Sequence, residues 1–189
     1  MIFLNSILNI IKSAACLAVV CLAMGCSKEN LESKFANQET KIETFVSSTM
    51  SSNADATVAY NGGSTILTVV HGEGDALEKN GVISFYYAGY ILTSTTVSSS
   101  NLFTTNDEAT ATSAGWTTTG EDPYKVLTVK LNEANFVKGL KNGLPGLKAG
   151  DEAYILFSGK YGFGDKNLGT IPANSALVYH VWVESISNE

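Results

Sequence analysis

The chain has 189 residues, 44% of them hydrophobic and 16% charged, with no arginine and a formal net charge of −6. That length suits one globular domain with short additions, and the composition excludes collagen-like, coiled-coil and fully disordered classes. Its 12 lysines stand against 18 acidic residues and are scattered singly, so no basic stripe is available for a phosphate backbone and nucleic acid is not an expected partner.

All three cysteines, Cys16, Cys21 and Cys26, lie within the first 26 residues. Lys12 precedes an apolar run from Ser13 to Gly25, long enough for a signal-peptide core and short of the ~20 residues that span a bilayer. The run closes Leu22-Ala23-Met24-Gly25-Cys26. This resembles the lipobox of bacterial lipoproteins, with Ala23 where that pattern usually has leucine. Residues 1–25 are expected to be a lipoprotein signal peptide and Cys26 the lipid anchor. Cleavage there leaves 189 − 25 = 164 residues with a charge of 11 − 18 = −7, since Lys12 is lost. The resemblance implies a location in the bacterial cell envelope, anchored to the outer membrane and facing the periplasm or the surface. Acylation of Cys26 leaves no intrachain disulfide, so the core alone must supply stability.

Residues 26–34 are polar and read as a tether. Phe35, Ile42, Phe45, Val46 and Met50 then recur at helical spacing, which predicts an amphipathic helix over 35–50 inside an N-terminal helical extension, 35–64. Asn61-Gly62-Gly63-Ser64 is a turn between two short extended segments. From residue 65 to 189 the pattern is β: Thr65–Val70, Val82–Leu92, Tyr124–Leu131, Glu152–Phe157 and Ala176–Ile186, with one short helical piece, Ala134–Leu140. Turns rather than repeated crossover helices join these strands, which predicts an α+β fold with an antiparallel sheet and one packed helix. In the last strand Leu177, Tyr179, Val181 and Val183 share the core face, and Val178, His180, Trp182 and Glu184 share the other. The 35–50 helix is expected to cover Val178 and Trp182.

Three stretches carry a resemblance. They are Phe136-Val137-Lys138-Gly139-Leu140 through Gly150-Asp151-Glu152, then Lys160-Tyr161-Gly162-Phe163-Gly164-Asp165, then Ile171-Pro172-Ala173-Asn174-Ser175-Ala176-Leu177-Val178-Tyr179. Together they resemble the C-terminal half of the FKBP family of peptidyl-prolyl cis–trans isomerases. Gly72-Glu73-Gly74, the segment Phe85 to Tyr90, and Leu102-Phe103-Thr104-Thr105-Asn106 resemble its first half, so the likeness covers about 65–187. It implies a strongly twisted antiparallel sheet wrapped on one short helix. It also implies rotation about X–Pro bonds without covalent chemistry, cofactor or metal, on proline-containing polypeptide clients. The residues it places at the catalytic pocket are Tyr87, Phe103, Tyr161, Ile171 and Tyr179, with Tyr161 giving a hydroxyl and Ile171 a backbone N–H to the ligand carbonyl. Val137, Leu140, Phe136 and Leu127 are placed as substrate contacts. Leu140 replaces the family's floor tryptophan, Thr104 its aspartate, and Leu127 a common aromatic wall, which implies a weaker or shallower site and poor affinity for macrolide inhibitors.

Other chemistry finds less support. The glycines at 159–164 are followed by no Gly-Lys-Ser/Thr run, and no Gly-x-Ser-x-Gly elbow is present. His71 and His180 are too few for a metal site and read as a turn residue and a solvent-facing strand residue. The long Thr-rich stretch 107–122 is read as a loop in which Trp116 either anchors the segment or reaches the pocket. Two readings remain: an envelope-tethered prolyl isomerase that assists folding, and a noncatalytic FKBP-like binding module.

Overall fold

The computed structural model describes residues 28–117 and 123–189. Residues 1–25, expected to be a signal peptide, and Cys26 lie outside the described residues. A helix, α1, runs over residues 28–52, so it begins seven residues before the apolar stripe. The Lys, Glu and Leu of its polar start are good helix formers, and propensity extends the helix where no core contact asks for it.

Among the described residues seven strands follow: β1 Thr57–Asn61, β2 Ser64–Val70, β3 Val82–Ile91, β4 Leu102–Thr105, β5 Leu127–Lys130, β6 Glu152–Phe157 and β7 Leu177–Ser187. Two short helices interrupt them, α2 Glu108–Ser113 and α3 Lys138–Gly143. The strands make one antiparallel sheet in the order β1-β2-β6-β7-β3-β4, with β5 also on β3. β1 is thus a strand of the sheet rather than part of a helical extension. The fold is α+β with an antiparallel sheet, as the pattern of strands joined by turns predicts.

The two faces of the sheet have different coverings. On one, Ile83, Phe85, Ile155, Phe157, Leu177, Tyr179 and Val181 form the main core with Leu140, Leu144 and Leu147 from α3 and its exit. A bulge shifts the β3–β7 register between Ser84↔Ser185 and Phe85↔Val183. The shift brings Ile186, which simple alternation would place on the opposite face, against the same core. On the other face Ile42, Phe45 and Val46 of α1 pack with Leu67, Leu156 and Val178. Asn53 closes the helix by donating from Nδ2 to the Val69 carbonyl at 2.9 Å. Met50, expected in the buried stripe, is 40% exposed.

The helix covers Val178 but not Trp182. Trp182 packs instead with Ala88, Tyr90 and Leu102, beside Ala114 and Trp116. The stretch read as a loop therefore contains an element: α2, capped by Asp107 Oδ2, which accepts from Thr110 N–H at 2.7 Å. Trp116 anchors this segment to the sheet. The helix predicted at 134–140 lies at 138–143. Ala134 sits in a turn whose N–H bonds the Lys130 carbonyl, and two glycines inside α3 weaken its sequence signal.

Candidate functional site

A cavity of about 280 Å³ opens on the core face between β3, β4, the start of α3 and the β6–β7 loop. Its walls come from Phe85, Tyr87, Phe103, Phe163, Ile171 and Tyr179, and Phe136, Val137 and Leu140 close it below. Each element has a reason for its aim. Alternation on β3 sends Phe85 and Tyr87 inward and Ala88 to the opposite face. Gly89 has no Cβ, which would lie 2.8 Å from the far end of the Phe103 ring, so Phe103 can close on β3. Asn106 is buried and accepts from Tyr87 N–H through Oδ1 at 2.6 Å, while its Nδ2 donates to the Lys125 carbonyl at 2.9 Å. It fixes the strand that carries Tyr87.

The rings hold one another edge to face. Phe103 meets Tyr179 at 5.8 Å and 87°, and Phe163 meets Phe103 at 6.4 Å and 79°. Tyr179 also stacks on Phe157 at 6.1 Å. These are favoured aromatic arrangements. Burial raises the Tyr179 hydroxyl above its ordinary pKa, and Tyr87 nearby adds to this. It stays protonated at neutral pH and remains a donor.

Seven of the nine pocket residues expected from the sequence come together here: Tyr87, Phe103, Phe136, Val137, Leu140, Ile171 and Tyr179. Two do not. Tyr161 ends a tight turn and lays its ring over the β1–β2 turn, where a Cβ on Gly63 would fall 2.0 Å from it. The Lys138 and Lys160 ammonium groups lie 5.4 and 5.8 Å from that ring. Phe163, two residues on, takes the place in the wall and brings no hydroxyl. Leu127 pairs with Phe85 across β3–β5 and packs on the core outside the cavity lining. The expected Ile171 N–H donor is also engaged, since it bonds the Leu168 carbonyl at 3.0 Å. Phe85, Phe163, Asn135 and the supporting Asn106 were not anticipated. The alternation Tyr161-Gly162-Phe163 held a signal for Phe163, because either aromatic could have been the inward one.

His180 does not face solvent. Its side chain is 13% exposed, stacked on Tyr154 at 4.1 Å and against Trp182 at 3.9 Å. Nε2–H donates to Glu152 Oε1 at 2.8 Å. Burial lowers its pKa, against the opposing pull of Glu152 and Asp107. The ring thus backs the strand whose other face presents Tyr179.

A family model described as FKBP-type peptidyl-prolyl cis-trans isomerase matches residues 74–184, more than half the chain. The chain belongs to the FKBP-type peptidyl-prolyl cis-trans isomerase family. Curated FKBP relatives include FK506-binding protein 1 of Aspergillus oryzae, 34% identical over 55 residues, which is 29% of this chain and 47% of that protein. FK506-binding protein 2 of Podospora anserina is 34% identical over 58 residues, 31% of each chain. The matched segments therefore span half or less of these relatives. Among solved structures, FkpA from Escherichia coli aligns with TM-score 0.53 and 16% identity, over 93% of this chain and 71% of that one. A peptidyl-prolyl cis-trans isomerase from Pseudomonas syringae aligns with TM-score 0.53 and 15% identity, over 81% and 95%. At these identities the likeness is one of FKBP fold.

Proposed function

We propose that this protein accelerates cis–trans exchange at X–Pro bonds of polypeptides, as a lipid-anchored folding helper of the bacterial envelope. The observation that carries the reading is the ring-walled apolar cavity, in which Tyr87, Phe103, Ile171 and Tyr179 stand together above Val137 and Leu140. The uncatalysed exchange is slow because rotation sacrifices amide resonance, a barrier of about 18–20 kcal/mol. The planar amide is the more polar state and the better hydrated one. A dry pocket that grips the prolyl ring withdraws that hydration and so favours the twisted amide over the planar one. A donor to the twisted carbonyl adds to this difference. The Tyr179 hydroxyl is suited to that role, because it is protonated, buried with the cavity, and bonded to no described residue.

The test is a protease-coupled isomerisation assay on the full chain with a proline peptide. Acceleration that disappears in Phe103→Ala supports catalysis at this cavity. No acceleration by the folded wild-type protein, across a panel of residues before proline, favours the second reading, a binding module without turnover. That second reading draws on Leu140 and Thr104 in the cavity lining and on the two expected donors, Tyr161 and Ile171, being turned elsewhere.

Among the described residues no helix is long and apolar enough to cross a membrane. Anchoring through Cys26, with residues 26–34 as the linker, is supported by the Leu22–Cys26 sequence. Metabolic palmitate labelling is expected to mark the wild-type protein and to be absent from Cys26→Ser; equal labelling of both would remove the anchor from the reading.

A further inference from the structure

The β6–β7 loop, residues 158–176, carries Phe163 and Ile171 into the cavity wall. Its internal bonds shape it: Asn174 N–H to the Gly164 carbonyl at 2.6 Å, Ala173 N–H to Asn167 Oδ1 at 2.7 Å, and the reciprocal Leu168–Ile171 pair at 2.9 and 3.0 Å. None of these ties the loop to the rest of the molecule; at its C-terminal end Leu92 N–H bonds the Ala176 carbonyl at 2.9 Å. Its two stems meet at Gly159 and Asn174, so near that a Cβ on Gly159 would lie 2.4 Å from the Asn174 carbonyl carbon. Gln38 of α1 spans that meeting point. Its Nε2 donates to the Asn174 carbonyl at 2.7 Å, and its Oε1 accepts from Gly159 N–H at 2.9 Å.

Gln38 is 8% exposed, and among the described residues of α1 it is the only buried polar side chain. Burying an amide is unfavourable unless both of its ends are bonded. Here both are, and both to the loop. An apolar residue there could be buried as Ile42 and Phe45 are on the same stripe, but it would leave Gly159 N–H and the Asn174 carbonyl without this partner. The amide adds only what an apolar side chain cannot, a two-point hold on both stems.

We infer that Gln38 is a positioning residue for the isomerase site, clamping the stems of the 158–176 loop and thereby setting Phe163 and Ile171 against Phe103 and Tyr179. The inference rests on the isomerase reading for its kinetic consequence. It places a determinant of the site upstream of residues 74–184, the segment matched to the family.

Two full-length variants test it. Gln38→Met keeps the length of the side chain and leaves Gly159 N–H and the Asn174 carbonyl unpaired. Ile42→Val loosens the same helix in the cluster that also holds Ala176, and leaves both Gln38 bonds to Gly159 and Asn174 in place. Gln38→Met is expected to lower kcat/KM about tenfold, mainly through KM, and to speed amide hydrogen exchange at Gly159 and over 163–171. Ile42→Val is expected to lower the thermal midpoint while leaving kcat/KM and loop exchange as in the wild type. Equal kinetics and equal loop exchange in the two variants would overturn the clamp. If the wild-type protein shows no isomerase activity, that reading fails alone, and exchange decides the clamp: faster loop exchange in Gln38→Met supports it, unchanged exchange removes it. Should Gln38→Met not fold, Gln38→Glu, which keeps the acceptor and loses the donor, is read by the same two measurements.

Discussion

Replacing Tyr179 by alanine is expected to lower kcat/KM for a proline peptide by about a hundredfold or more, the scale of a mispositioned reacting group. The ring is 6% exposed and touches Tyr87, Phe103 and Phe157 at once, so its loss removes a wall and frees Phe103 to move. The same truncation costs about 3–5 kcal/mol of stability, and the assay is therefore read per folded molecule, with folding checked by circular dichroism. Tyr179→Phe separates wall from hydroxyl. It keeps the ring and is expected to cost about tenfold in rate, one hydrogen bond's worth. Tyr161→Phe is the companion measurement, expected to stay within about twofold of wild type, since that ring lies over Gly63 and outside the cavity. A larger loss in Tyr161→Phe than in Tyr179→Phe would reverse the assignment of the donor.

The second large effect is on stability. Gly139 faces the sheet from α3, and a Cβ there would fall 2.1 Å from the Phe157 ring, with Gly143 one turn on facing Ile155 at 2.2 Å. Phe157 is fully buried and stacked under Tyr179, so it has nowhere to go. Gly139→Ala is expected to destabilise the fold by about 3 kcal/mol, toward the upper end for an overpacked core. That sign opposes the gain alanine normally brings to a helix interior. A urea midpoint equal to or above that of the wild type would show that α3 can lift off the sheet without penalty.

Much of this architecture was legible before any coordinates. The alternation in β7 separated Tyr179 from Val178 correctly because a strand has no freedom in which face a side chain takes. The bounds of Glu152–Phe157 are legible to the residue, since a largely apolar run between Asp151 and a Ser-Gly pair leaves little choice. The misreadings occurred where the period breaks. Tyr161 and Phe163 flank a glycine in a tight turn, and a turn assigns neither an inward side by rule. β4 and α2 are short and threonine-rich, a composition that favours neither state strongly. The place of Trp182 on β7 calls for cover, but alternation does not say from which element it comes. Gln38 stands four and seven residues before Ile42 and Phe45, so a reader attending to spacing rather than polarity would have placed it on the buried stripe.

The sheet order β1-β2-β6 has a consequence for anyone who trims the chain. A fragment started at residue 74, where the likeness to the family begins, would delete β1 and β2 and turn β6 from an interior strand into a border. Thr65 to Thr68 bond to Ala153 through Leu156, and without them that length of apolar backbone stands open with Leu156 uncovered on one face. Borders of this kind recruit neighbouring molecules. The smallest piece worth expressing therefore starts well upstream of the family signature, and an insoluble short fragment would report on the missing strands rather than on the domain itself.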